Sequence, residues 1–311
     1  MKRRLVLLAP PLLLLPPFLA ALVGALLAPG VLHPARRPVS STAVGRADQM
    51  LARVQASRTE MIVTSADGTI LRGWRVTPAR PNGDWVELFH GVSDNRAGML
   101  GHAELLLRSG YGIVMMDARN HGASSGGIAT FGWLERNDTQ AISDALFQTA
   151  KPHCLFFLGE SMGASIALQS AAVDPRIDGV VAESPFADLR EVSYEYAGLH
   201  LSSWLGRTLF RPAVSVAIGR VEKEGGFLAN DVSPIKAVAR RACPVLLICG
   251  SEDRTIPLRH STVIFNAACG PKELWCVPGA GHSAALGAAP AEFERRVTTF
   301  FQRIHQRRKS T

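Results

Sequence analysis

Three short stretches carry side chains that together could cleave a carbonyl compound, one as nucleophile, one as base and one as the acid that orients the base. The segment Gly159-Glu160-Ser161-Met162-Gly163 sets a serine between two glycines, after the apolar run 154–158 and before the small-residue run Ala164-Ser165-Ile166-Ala167-Leu168. A serine on a sharp strand-to-helix turn has strained backbone angles, and the positions two before and two after it must lack a side chain to avoid collision. Gly159 and Gly163 meet that need. Such a turn holds the hydroxyl clear and aims the N–H groups of the following helix at the reacting carbonyl, with the Met162 N–H as oxyanion donor.

A serine hydroxyl is a weak nucleophile without a base and an acid to orient that base, and this kind of site supplies them in the order Ser, Asp, His. Asp253 lies in the loop after the buried run 245–249 and precedes Arg254-Thr255-Ile256-Pro257. His282 lies in Gly279-Ala280-Gly281-His282-Ser283, a glycine loop after the last strand-like run, where an imidazole can reach both groups. Asp253 is read as the acid and His282 as the base. Glu183, after the run 179–182, is the competing acid. The segment His90-Gly91-Val92-Ser93-Asp94-Asn95-Arg96 follows the run 85–89, where a second oxyanion N–H should arise, and Val92 is the expected donor. His90 reads as a hydrogen-bonder that fixes this loop. Asp117-Ala118-Arg119-Asn120-His121-Gly122 reads as a structural turn near the pocket, not a second active site.

The elements that must position these residues are legible as eight apolar, β-rich runs at 61–64, 70–76, 85–89, 111–116, 154–158, 179–182, 245–249 and 274–277. Asp67-Gly68 between the first two marks a hairpin. Later runs alternate with stretches of helical periodicity at 96–108, 134–150 and 161–173. An antiparallel start followed by strands alternating with helices predicts an α/β fold, a mostly parallel eight-stranded sheet with helices on both faces and its ligand site at the carboxyl ends of the strands. The stretch 185–231 interrupts the rhythm with Tyr194, Tyr196, Trp204, Leu205, Leu209 and Phe210 and reads as a small helical lid.

The net charge of +8 would suit a nucleic-acid binder if it sat on the folded body. It does not. Eleven of the 34 cations fall in 1–37 and 295–311, which contain no acid, leaving 23 basic against 26 acidic residues in 38–294, a net of −3. Nucleic acid is thereby disfavoured, and the basic ends suit anionic lipid head groups or simple solvation. Lys2-Arg3-Arg4 precedes an uncharged run, 5–32, rich in Leu, Ala and Val. That run is a targeting or anchoring segment. Pro10, Pro11, Pro16 and Pro17 break its first half, so the sequence secures a straight helix only over 18–28. With no Ala-x-Ala site, the reading leans to an uncleaved membrane anchor at 1–32 over a cleaved signal, and in either case to an extracytoplasmic body, periplasmic or extracellular. Residues 33–59 read as a linker holding a short amphipathic lead-in helix, 60–305 as the catalytic domain with the lid at about 185–231, and 306–311 as a basic tail. Five cysteines leave at least one thiol unpaired. Cys154, Cys249 and Cys276 read as buried small hydrophobes, Cys269 with Cys276 as a candidate disulfide, and nothing has metal-ligand spacing.

From about Glu60 to Phe301 the chain resembles an α/β-hydrolase. The set His90-Gly91, Asp117-x-Arg119-x-His121-Gly122, Gly159-x-Ser161-x-Gly163, Asp-Val-Ser-Pro-Ile at 231–235, Asp253 and Gly281-His282 is similar to the anchored serine hydrolases of the BEM46-like and ABHD13-like group. The resemblance implies a Ser161/His282/Asp253 triad, an oxyanion hole from Val92 and Met162, no cofactor and no metal, and hydrolysis of acyl esters or thioesters. Asn120 stands where many of that group have glycine, a departure expected to alter the loop above the pocket more than the chemistry. The reading is a membrane-associated serine hydrolase acting on a small-molecule or lipid-like ester. A serine peptidase or acyltransferase on the same fold, and a catalytically silent membrane-tethered binding module, are the alternatives.

Overall fold

Runs rich in Val, Ile, Leu, Phe and Met, bounded by Gly, Pro and Asp, assemble into one sheet. A computed structural model of the chain describes residues 11–198 and 203–310. Its strands are β1 (Ser57–Thr64), β2 (Ile70–Thr77), β3 (Trp85–Phe89), β4 (Gly112–Met116), β5 (Leu155–Glu160), β6 (Ile177–Glu183), β7 (Val245–Gly250) and β8 (Lys272–Val277). They lie in the order β1-β2-β4-β3-β5-β6-β7-β8, with β1 and β2 antiparallel to their neighbours and the rest parallel. This is the fold expected from the sequence. The β1–β2 turn is closed by Asp67, whose Oδ1 accepts the Thr69 N–H at 3.0 Å, and by Gly68 at φ +84.

The helices described are α1 (Pro11–Leu32), α2 (Ser41–Val54), α3 (Leu100–Arg108), α4 (Glu135–Thr149), α5 (Met162–Ala171), α6 (Leu189–Tyr196), α7 (Ser203–Arg207), α8 (Arg211–Gly225), α9 (Pro234–Arg240), α10 (Leu258–Ala267), α11 (Ala285–Ala288) and α12 (Pro290–Lys309). One face of the sheet packs on α2, α3 and α12 through Met50, Leu106 and Phe301. The other packs on α4, α5 and α10 through Leu146, Ala167 and Ile264. Burial on both faces is what makes the parallel strands read as continuous apolar runs. A third cluster joins α6 and α8 to α1 through Val192, Ile218, Ala28 and Leu32.

The N-terminal segment departs from its sequence reading in two ways. Its helix extends from Pro11 to Leu32, beyond the expected 18–28. A proline at position 29 deprives the carbonyl of residue 25 of its helical donor, and Arg220 Nη1 of α8 reaches Ala25 O at 3.4 Å. Gly24, Ala28 and Leu32 form the face turned to the protein, and a Cβ at Gly24 would sit 2.3 Å from Ala213 O. Among the described residues no helix is long and apolar enough to cross a membrane. The cations Lys2, Arg3 and Arg4 lie outside the described residues.

Within 33–59, α2 starts at an N-cap Ser40, whose side chain accepts the Ala43 N–H, and buries Ala47, Met50 and Leu51 in the core. At the other end α12 continues as helix through Lys309, so most of the basic tail is helical. The candidate disulfide is corrected: all five cysteines are free. Cys276 lies on β8 opposite Cys249 of β7, while Cys269 Sγ donates to Val238 O, so the two side chains have different neighbours.

Candidate active site

β5 ends at Glu160, and α5 begins at Met162, so a single residue makes the turn. That residue is Ser161, at φ +52 and ψ −117, a region L-residues rarely occupy and one costing about 1–3 kcal/mol. Its N–H is held by Glu183 O at 2.8 Å. The flanking glycines are required by contacts on the backbone. A Cβ at Gly159 would lie 2.5 Å from Gly163 C, and one at Gly163 would lie 2.3 Å from Phe89 O. Neither neighbour can yield without moving the backbone of α5 or β3.

Two other strand ends deliver the partners. Asp253 follows β7, and His282 sits in the loop after β8. A Cβ at Gly250 would lie 2.2 Å from Ala280 O, so the absence of a side chain lets these two loops close on each other. The structure brings the three groups together. His282 Nε2 lies 2.9 Å from Ser161 Oγ, and His282 Nδ1 lies 2.8 Å from Asp253 Oδ2. The Nδ1–H donates to the carboxylate, which leaves the Nε2 lone pair to accept from the serine hydroxyl. Asp253 Oδ1 accepts the N–H groups of Thr255 and Ile256 at 2.9 and 2.8 Å. Burial pushes this carboxyl up, but the His282 hydrogen bond and charge and the Ile256 N–H outweigh it, and the net direction is below the ordinary carboxylate range. Its side chain is fully buried while that of His282 is 24% exposed, so the base is reachable and its orienting acid is not.

Glu183 occupies a different place. Its Oε1 accepts the Ala285 N–H at 2.8 Å, and its Oε2 lies 3.9 Å from His102 Nε2. Asp253 therefore holds the position on His282 for which the two carboxylates compete. Glu160, inside the motif, was not singled out from sequence, yet burial raises its carboxyl from 4.5 to about 7, with His102, Glu183, Asp94 and His282 also acting on it. No spacing signals that burial.

The two backbone segments expected to supply oxyanion donors adjoin the serine. Met162 is the first residue of α5, where N–H groups have no helical partner. Gly91 lies beside Ser161, since a Cβ built on it would be 3.8 Å from Ser161 Cβ. His90 fixes that loop as the sequence suggests: Nε2 accepts the Ala118 N–H at 3.0 Å, and Nδ1 donates to Gly91 O at 2.8 Å. In a trans peptide the N–H opposes the C=O, so anchoring Gly91 O also fixes the direction of the Val92 N–H. The turn at 117–122 is structural. Asp117 pairs with buried Arg96 at 2.6 Å and accepts the Ala123 N–H, while Arg119 forms a fork with Asp138, both arms at 2.7 Å. Asn120 stands at φ +57, which accounts for glycine in the related motif, and its Nδ2 donates to Leu32 O at the end of α1.

Two tethers that sequence reasoning missed hold the segment between β6 and β7. His260 of α10 accepts the Ala187 N–H at Nδ1, so its Nε2–H donates to Glu195 of α6 at 2.8 Å. Glu195 also meets Arg207 of α7.

Known proteins place the chain. The Alpha/beta hydrolase family matches residues 82–296. The "Uncharacterized protein YqkD" of Bacillus subtilis is 28% identical over 257 residues, covering 81% of each chain. The "Uncharacterized protein YfhR" of Escherichia coli K12 is 26% identical over 231 residues, covering 72% of each. Among solved structures, the Pyrococcus furiosus esterase Pf2001 superposes with a TM-score of 0.68 at 22% identity, covering 87% of this chain and 98% of the esterase. With that sheet order and that match across most of its length, the chain belongs to the alpha/beta hydrolase family and is a hydrolase enzyme.

Proposed function

We propose that this hydrolase is a serine esterase that cleaves carboxylic esters or thioesters of a hydrophobic acyl substrate. The observation carrying the reading is the hydrogen-bonded chain from Ser161 Oγ through His282 to Asp253, at 2.9 and 2.8 Å, across the carboxyl ends of β5, β7 and β8. Ser161 Oγ attacks the carbonyl as His282 Nε2 takes its proton, and Asp253 stabilises the imidazolium that forms. The N–H groups of Val92 and Met162 receive the developing oxyanion. His282 returns its proton to the leaving alcohol or thiol, and water attacks the acyl-enzyme by the same relay. The esterase activity named for the Pyrococcus furiosus structure is in keeping with this.

Two features favour an apolar substrate met at a membrane surface, as in the anchored BEM46-like and ABHD13-like hydrolases. Trp204 and Leu209, in the segment between β6 and β7, are 65% and 69% exposed. α1, which packs on α8, presents Leu22, Val23, Leu26 and Leu27 to solvent on its outward face. Lys2, Arg3 and Arg4 ahead of this helix favour an extracytoplasmic body. The test is a series of p-nitrophenyl esters of graded chain length with the wild type and Ser161→Ala. Turnover that rises with chain length and is abolished in the variant supports the reading. Equal turnover by Ser161→Ala refutes it.

A further inference from the structure

At the amino ends of β3 and β5, the end of the sheet opposite to Ser161, three chain segments meet. One ring nitrogen each of His153 and His305 and the Sγ of Cys154 lie within 4.8 Å of one another. The residues come from the turn before β5 and from α12, and Asp84 joins them from the turn before β3. We propose that these side chains form a site for a divalent transition ion of the zinc class, with His153, Cys154 and His305 as ligands and Asp84 as the group that orients His305.

The donor set is two imidazoles and a thiolate, the combination that zinc takes in preference to calcium or magnesium. Asp84 supplies what metal-binding histidines ordinarily have behind them. Its Oδ1 and Oδ2 lie 3.0 and 2.8 Å from His305 Nδ1, so His305 Nδ1–H donates to a carboxylate, and the Nε2 lone pair is the one left to bind. Asp84 is itself buried, and its Oδ1 also accepts the Cys154 N–H at 3.1 Å. The supporting backbone is fixed: His153 N–H donates to Gly83 O, and Trp85 N–H donates to Cys154 O, each at 2.9 Å. Bonds of about 2.0 Å to nitrogen and 2.3 Å to sulfur put tetrahedral ligands about 3.3–3.6 Å apart, so the three ligand atoms, which lie within 4.8 Å of one another, must draw together by up to about 1.5 Å. His153 is exposed and gives the ion its entry, while Cys154 forms the floor.

Binding replaces the Cys154 S–H bond with an S–metal bond, and the proton leaves to solvent. No oxidation is involved. Three protein ligands leave one position for water, but the ion sits at the far end of the sheet from the serine. Its effect is to staple α12 to β3 and β5. Because the ion binds the folded chain, stability rises with its concentration.

The test uses the full chain, freed of metal with a chelator and titrated with zinc chloride by calorimetry. The expected result is one ion per chain, with affinity reduced about tenfold or more in His153→Ala, Cys154→Ser and Asp84→Asn. His153 is at the surface, so His153→Ala keeps the test open if Cys154→Ser does not fold. Cobalt chloride gives a separate readout, since a thiolate ligand adds a near-ultraviolet charge-transfer band that Cys154→Ser abolishes. Less than one ion per chain, affinity unchanged in His153→Ala, or a cobalt complex without the thiolate band would overturn the proposal.

Discussion

Glu160→Gln should separate the cost of a buried carboxyl from the chemistry of its neighbour Ser161. Burial beside Glu183 and Asp94 lifts the Glu160 carboxyl from 4.5 to about 7, with His102 and His282 pulling the other way. A group whose folded value is raised has its stability intact below the unfolded value and loses it as pH rises through the folded one. Below pH 4.5 the side chain is neutral in both states. Between 4.5 and 7 the unfolded chain ionises first, and above 7 the full penalty stands. At about 1.36 kcal/mol per pH unit, the interval amounts to about 3 kcal/mol. Glutamine keeps the shape and cannot ionise. Urea midpoints should therefore show the variant more stable by about 3 kcal/mol at pH 8 and by about 1 kcal/mol or less at pH 5. An advantage that is equal at both pH values, or larger at pH 5, would refute the reasoning.

Ser161→Gly should melt higher than Ser161→Ala, by about 1 kcal/mol of stability, because glycine accepts φ +52 without strain and alanine does not; equal melting temperatures would contradict strain at the turn. Asp253→Asn should fold normally yet lose about 10³–10⁴ in kcat, since the amide cannot take the Nδ1–H from His282 in the same tautomer; steady-state kinetics at pH 8 decide this, and a loss below tenfold would count against the assigned acid. Arg96→Met should cost about 3–5 kcal/mol in denaturant titration, because it strands the buried Asp117 carboxylate, and a cost below 1 kcal/mol would show that the Arg96 and Ala123 N–H groups satisfy Asp117 alone.

The strands were legible because both faces of this sheet are covered. Runs such as Val245–Gly250, buried at every position, need no alternation to be recognised. Glu87 shows the limit of that reading. It sits in the middle of β3, both carboxylate oxygens without a hydrogen bond, beside a cavity of about 30 Å³. Burial raises its carboxyl well above the ordinary value, so it packs as a neutral side chain, which no local pattern reveals. The end of α1 was misjudged because a donor nearly two hundred residues away, Arg220, satisfies the carbonyl that Pro29 strands.

At the site, chain order and strand-end placement singled out Ser161, Asp253 and His282, and the structure brings them within hydrogen-bond reach. Glu183 competes with Asp253 in the sequence because both follow a parallel strand and precede His282. The choice turns on where each side chain finds its partners, Ala285 and His102 for Glu183 and the Thr255 and Ile256 N–H groups for Asp253. The cluster of Asp84, His153, Cys154 and His305 draws on three distant segments and carries no spacing signature.

Covalent labelling with a fluorophosphonate, followed by peptide mass mapping, tests the central claim most directly. The reagent phosphonylates a serine only where a base activates it and an oxyanion hole receives the charge. One adduct per chain, on the peptide containing Ser161 and lost in both Ser161→Ala and His282→Ala, is the predicted result. Folded wild-type protein that takes no label, or takes it on another residue, would contradict the account.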